Sequence, residues 1–296
     1  MDQVVKALAH DQKIRILIAK TTNLVQHAHQ IHDTHPTASA ALGRLLSVTA
    51  IMGSMMKNKN DQVTSTIYGN GPLRKTMAIA KSNGEIKGYV SEPHVHFIND
   101  NQKLDVARAI GNGHLEVIKD LGLKNNFTST IDLVSGEIGE DFAHYFTISE
   151  QTPSAVSVGV LVNENNDILA AGAIIIQMMP GAQEVDILAA EHVIKHLKPV
   201  SQMFHEGQNP KDIALALFED VEILESLPLY YKCDCSKERT RRALMLIDLI
   251  DLKDIVREDK EIDVTCQFCQ NNYHFDEQEL LDIIKEKVQH DADRRH

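Results

Sequence analysis

Cys233-Asp234-Cys235-Ser236 and Thr265-Cys266-Gln267-Phe268-Cys269 hold all four cysteines of the 296-residue chain, as two close pairs with no thiol left over. Four thiolates in a tetrahedron are the preferred cage of a structural zinc ion, and two short-range pairs from separate segments build it with little loss of chain freedom. Cys266 and Cys269 have the spacing that flanks a tight turn with both sulfurs on its concave side. Cys233 and Cys235 stand at alternate positions of an extended segment, so both face one ion without a turn. The thirty residues from Ser236 to Thr265 exceed the insert of a compact zinc ribbon, which predicts helix between the pairs. Cys233, Cys235, Cys266 and Cys269 are therefore the expected ligands of one Zn2+.

The remainder of the chain sets the context of these thiols. With 43% hydrophobic residues it can bury one sizeable core and a second small one. Charge interrupts Met1-Asp2-Gln3-Val4-Val5-Lys6 too early for a signal peptide, and no apolar run reaches membrane-spanning length. The expected location is the reducing cytoplasm, where cysteines bind metal or do redox work and do not frame a secreted fold. A net charge of −12 repels nucleic-acid backbones. Half of that charge lies on residues 180–231, with nine acidic and three basic side chains giving −6.

Residues 1–179 are predicted to form an α+β core. Helices are expected over residues 13–28 and from Pro36, the second with Leu42, Leu45, Leu46, Thr49 and Met52 on one face. Strands are expected at residues 63–68, 77–80, 86–90, 128–134, 144–149 and 169–178, with a short helix within 137–145. Residues 156–162 fit a strand, or residues 152–160 a helix instead. Four sharper readings are set aside. His27, His29, His32 and His35 do not share a helical face, so they read as a solvated helix end and their role stays unassigned. His94 and His96 read as surface, and the paired glycines at 69/71 and 111/113 as turns. Ser149 lacks a nucleophile elbow.

In residues 180–231, Val185, Leu188, Ala189, Val193 and Leu197 fall at helical spacing. Asn209 and Pro210 open a second helix with a stripe of Ile213, Leu217, Phe218, Val221 and Leu224. The residues alone favour ordinary amphipathic helices packed on the core. In residues 232–296, Ser236 is an N-cap, Asp276 and Glu279 form a capping box, and Arg239, Arg241 and Arg242 make a small basic patch. His274 is a fifth candidate ligand for a tetrahedron that four cysteines already fill.

The thiol pattern, with Tyr273-x-Phe275 after it, resembles the zinc domain of the Hsp33 family of redox-regulated chaperones. Ala41 to Leu46, Gly69-x-Gly71-Pro72-Leu73, Gly88-Tyr89-Val90, Ser149-Glu150-Gln151-x-Pro153 and Gln177-x-x-Pro180-Gly181 fit the same family in the same order. Lys87 stands where the family usually has arginine, and Phe127-Thr128-Ser129 replaces its more usual Tyr-x-Gly. The resemblance implies a mixed two-layer core (1–179), a helical linker that unfolds on activation (180–231) and a zinc-binding switch domain (232–296). It also implies disulfides joining Cys233 with Cys235 and Cys266 with Cys269, homodimerisation of the oxidised form, and ATP-independent holding of unfolding client proteins for later transfer to refolding chaperones. No catalytic residue, nucleic-acid partner or membrane is expected.

A domain of about 65 residues barely offsets its chain entropy by apolar burial, so the metal is expected to be decisive for its folding. Zinc also keeps its sulfurs as thiolates, the form that oxidants attack. The alternative is a constitutive zinc-ribbon module for a nucleic-acid or ribosomal partner, which the acidic balance disfavours. A thiol oxidoreductase built on Cys266 and Cys269 would need a thioredoxin-like context that is missing here.

Overall fold

Residues 13–28 do not form one helix. In the computed structural model, which describes residues 1–293, β1 (Gln3–Ala9) and β2 (Ile14–Lys20) make an antiparallel hairpin, and α1 (Thr22–His32) begins only after it. Ile14, Ile16 and Ile18 of β2 belong to one apolar cluster, Leu17 and Ala19 to another. A strand covered on both faces reads as an unbroken apolar run, so its period of two is hidden in the sequence.

Pro36 does open a helix, α2 (Pro36–Ser54), and 17 of its 19 residues are buried, the mark of a helix with protein on every side. Antiparallel β3 (Gln62–Gly69), β4 (Lys75–Lys81) and β5 (Glu85–Val90) follow, then α3 (Val106–Ile110), β6 (Gly113–Asp120) and β7 (Phe127–Asp132). The strand expected at residues 144–149 is instead the end of α4 (Gly139–Ile148), where Phe142, Tyr145 and Phe146 recur at helical spacing and are buried. Four backbone N–H groups, from Val134, Ser135, Gly136 and Ile138, converge on the buried Asp141 carboxylate and fix the start of that helix. Residues 152–162 resolve as strand, β8 (Ser154–Val162), paired with β9 (Ile168–Met178).

The segment from residue 180 to 231 contributes α5 (Glu184–His196), α6 (Val200–His205) and α7 (Pro210–Leu217), then β10 (Glu222–Pro228) and β11 (Tyr230–Tyr231). Asn209 caps α7 as expected, accepting from the Lys211 and Asp212 N–H groups. The stripe drawn through Leu224 is broken, however: α7 stops at Leu217, and Leu224 lies in a strand. Likewise Val185 and Leu188 of α5 are 59% and 58% exposed, while Ala190 is buried. The apolar stripe of α5 therefore only partly faces the sheet.

Two sheets result, ordered β10-β1-β2-β9-β8 and β11-β5-β4-β3-β6-β7. The main core joins α1 and α2 to facing residues of both sheets, such as Ala171, Ala173 and Ile175 on one and Val63, Ile67 and Ala78 on the other. On the far face of the five-stranded sheet, Ile16, Ile18, Ile174 and Ile176 pack with Ala190, Val200, Met203, Phe204, Ile213 and Ala214. The acidic segment is thus a lid of three helices over one sheet face, with an edge strand at each sheet. Contacts divide the chain after Lys232 into two units.

The lid is fastened at the β1–β2 turn, where His10, Asp11 and Gln12 all have positive φ. Such a run is costly for residues with a Cβ and needs outside support. Asp220 supplies it, one carboxylate oxygen accepting the His10 N–H and the other the Asp11 N–H, each at 2.9 Å. Asp186 of α5 meets the His10 ring at 2.5 Å and accepts the Gln183 N–H. The two turn N–H groups hold the Asp220 carboxyl below its ordinary value of 3.8, and the Gln183 N–H followed by His10 does the same for Asp186. A depressed carboxyl contributes stability that is full above its unfolded pKa and is lost as pH falls through the folded one. Docking of residues 183–221 is therefore expected to weaken below about pH 4. Asp220→Asn, which replaces one acceptor by a donor, is expected to raise amide exchange across α5 about fivefold at neutral pH. Unchanged exchange there would remove the latch.

In the unit from Cys233 onward, α8 (Lys237–Leu244) is capped by Ser236, α9 (Leu249–Glu258) follows, and β12 (Ile262–Thr265) pairs with β13 (Asn272–Phe275) before α10 (Glu277–Asp293). The capping box of α10 is reciprocal, Glu279 N–H to Asp276 and Asp276 N–H to Glu279. Its buried apolar core is small: Leu244, Leu252, Phe275, Leu280 and Ile283.

Candidate metal centre

Cys233 and Cys235 lie in extended chain before α8, and Cys266 and Cys269 lie in the turn between β12 and β13. That turn is closed by the Cys266 N–H to Asn271 at 2.9 Å and the Gln270 N–H to Cys266 at 2.8 Å. The β12–β13 ladder and the Ser236 cap thus bring two thiol pairs from distant stretches to one point. All four sulfurs lie within 4.8 Å of one another, with Cys233 to Cys266 at 3.7 Å and Cys235 to Cys269 at 3.2 Å. A tetrahedron with zinc–sulfur bonds of about 2.3 Å has edges of roughly 3.8 Å, so the cluster is of the right size and donor type for one zinc ion. The thiols are free and half-buried.

Burial pushes the Cys233 thiol up to about 11 against the opposing Cys235 N–H, and burial likewise raises Cys269. Cys235 moves down to about 7, because burial is outweighed there by hydrogen bonds from Tyr273 and the other three thiols. Its principal donor is the Tyr273 hydroxyl at 3.1 Å, a group itself held up at about 12 by that bond. A divalent metal held by the four sulfurs would displace the protons of Cys233 and Cys269, whose thiols burial keeps up.

His274 is not drawn to the sulfurs, since its ring faces Asp263 at 3.1 Å and Glu261 at 3.8 Å. The four N-terminal histidines have separate fates. His29 bonds Thr34, His35 leans on His94, His27 meets the Tyr231 ring edge-on, and His32 is buried against the Gly88 carbonyl. Among the described residues, the four cysteines are the one group of three or more metal-binding side chains whose ligand atoms converge. Sequence reasoning names Tyr273 only as part of a motif, because nothing in a linear sequence shows where a hydroxyl ends. Sequence reasoning does not single out Tyr231, whose hydroxyl donates to the Gly88 carbonyl at 2.8 Å and anchors β11.

The family model described as Hsp33 protein matches residues 2–276. The chain belongs to the Hsp33 family. Among Hsp33 relatives, a 33 kDa chaperonin of Oceanobacillus iheyensis is 46% identical over 286 residues, covering 95% of this chain and 99% of the relative. The 33 kDa chaperonin of Bacillus subtilis is 45% identical over 283 residues, covering 95% and 97%. The fold is similar to the crystal structure of a 33 kDa chaperonin, a heat shock protein 33 homolog, from Thermotoga maritima, with a TM-score of 0.88 and 36% identity over 97% of this chain and 99% of that one. Lys87 is buried in β5. No helix among the described residues is long and apolar enough to cross a membrane.

Proposed function

We propose that the protein is a chaperone of the holdase kind, independent of ATP and switched by oxidation. Residues 1–179 are its core, 180–231 its regulated segment and 232–296 its zinc switch. The observation that carries this reading is the gathering of four sulfurs in a unit whose buried apolar core, among the described residues, is five side chains. One zinc ion bound by Cys233, Cys235, Cys266 and Cys269 contributes on the order of 10 to 16 kcal/mol to the folding of such a module. The reduced form is folded and quiet.

Oxidation joins Cys233 with Cys235 and Cys266 with Cys269, and the ion leaves. These local disulfides close only tiny loops, so they do little to restrain the unfolded chain. Cross-links between the pairs, Cys233 to Cys266 or Cys235 to Cys269, would close loops of 33 or 34 residues. Each would hold the domain together by about 4 kcal/mol. Unfolding on oxidation therefore requires the local pairing. The acidic lid then loosens, and its helices and the sheet face under them hold unfolding clients, which pass later to refolding chaperones. The oxidised form associates as a homodimer in the cytoplasm.

The alternative, a constitutive module for nucleic acid, finds little support in the basic patch, because Arg239 is paired with Asp234 and Arg241 with Glu286. Aggregation of a heat-unfolded client, followed with reduced and with peroxide-treated protein while zinc release is recorded, tests the proposal. Protection only after zinc has left is the expected result. Equal protection in both states would remove the switch, and salt-sensitive nucleic-acid binding would favour the alternative.

A further inference from the structure

We propose that the Tyr273 hydroxyl restrains the reactivity of Cys235, acting through the hydrogen bond it donates to that sulfur. Tyr273 sits on β13 opposite Val264 of β12, and its ring packs on the small core of the C-terminal unit. Its hydroxyl thereby arrives 3.1 Å from Cys235 Sγ, with the Asn271 side chain bonded to the same oxygen. Cys233 and Cys269 take backbone N–H groups, from Cys235 and Asn271 respectively. The four sulfurs of one cluster are thus held differently, and Cys235 accepts from a side-chain hydroxyl.

The inference rests on the zinc and oxidation reading above, and the chemistry gives the bond a specific consequence. A thiolate sulfur attacks one oxygen of hydrogen peroxide; the S–O bond forms, the O–O bond breaks, and hydroxide leaves. Sulfur has then lost two electrons to the peroxide. A second thiolate attacks the sulfenic sulfur, the S–S bond forms, and the S–O bond breaks to release a second hydroxide. In the first step the sulfur lone pair becomes the new bond, so a hydroxyl bonded to that lone pair stabilises the ground state more than the transition state. Tyr273 is a positioning residue in this sense: where bound zinc would already hold the sulfur as a thiolate, the bond slows attack by Cys235 on an electrophile without touching the oxidant.

The test uses full-length, zinc-loaded, reduced Tyr273→Phe, which keeps the ring and removes the donor. Iodoacetamide labelling, quenched at intervals and read peptide by peptide by mass spectrometry, gives the alkylation rate of each cysteine. The expected result is an increase of about fivefold at Cys235, with Cys233, Cys266 and Cys269 changed by less than twofold. Cobalt-loaded Tyr273→Phe provides a second signature, a shift to longer wavelength of the sulfur-to-cobalt charge-transfer band. Equal acceleration at all four cysteines, or loss of metal from the variant, would make Tyr273 a structural residue and overturn the proposal. So would an unchanged Cys235 rate. Labelling does not depend on chaperone activity: a Cys235-selective effect in a protein that never becomes a holdase would sink the functional reading and spare this one.

Discussion

Treating the reduced protein with a zinc chelator is expected to unfold the unit that begins at Cys233 and to leave both sheets of the first unit intact. The expectation follows from size. Five buried apolar side chains anchor α8, α9, α10 and one two-stranded ladder, and burial of a side chain of that class stabilises by only about 1.5 to 3 kcal/mol. A module of this size lies near the point at which apolar burial barely offsets chain entropy, so the metal decides. Without it, Cys233 and Cys269 return to neutral thiols in a half-buried cluster with nothing to bridge them. Amide exchange read by mass spectrometry should show peptides of α8 and α9 losing essentially all protection, while those of β2, β9 and α2 keep theirs. Persistent protection in α9 would mean that the apolar core suffices.

Phe204→Ala should yield a protein that protects clients while still reduced and zinc-loaded. Phe204 is 4% exposed and lies so close over β9 that a Cβ at Gly172 would fall 2.3 Å from its ring. Glycine is required there for α6 to reach the sheet at all. The Lys20 ammonium sits 5.8 Å from the same ring. Truncating a buried phenylalanine costs about 3 to 5 kcal/mol, and here the loss falls on the contact between the acidic lid and the sheet. With that contact gone, Ile16, Ile18, Ile174 and Ile176 lose their cover, as Val185 and Leu188 already lack one. Light scattering of a heat-unfolded client and exchange over α5 to α7 should change together. Loss of protection in those helices with no gain in client holding would show that the uncovered sheet face does not bind clients.

The local devices of this fold were legible in the sequence because each is written within a few residues. Asn209, Ser236 and the Asp276/Glu279 box cap the helices they were expected to cap, and Pro36 opens α2. The thiol pairs were legible for the same reason, their spacing being a statement about turns and extended chain. What failed depends on partners far along the chain. β2 hides as a helix because α5 to α7 cover one of its faces and α2 the other, so no polar positions mark its period. β10 was read as a continuation of α7 because Val221 and Leu224 happen to extend a helical stripe. Asp220, between α7 and β10, is instead committed to a turn more than 200 residues away. The exposed side of α5 has no sequence signature either, since which part of a stripe meets the sheet is set by where α6 docks on Gly172.

The most direct measurement is peptide mapping of the disulfides in peroxide-treated protein, made alongside zinc release and amide exchange of the C-terminal unit. The account predicts Cys233 joined to Cys235 and Cys266 to Cys269, one zinc ion released per chain, and loss of protection throughout α8 and α9. Cross-links from Cys233 to Cys266 and Cys235 to Cys269, in a unit that stays protected after its zinc has gone, would contradict it.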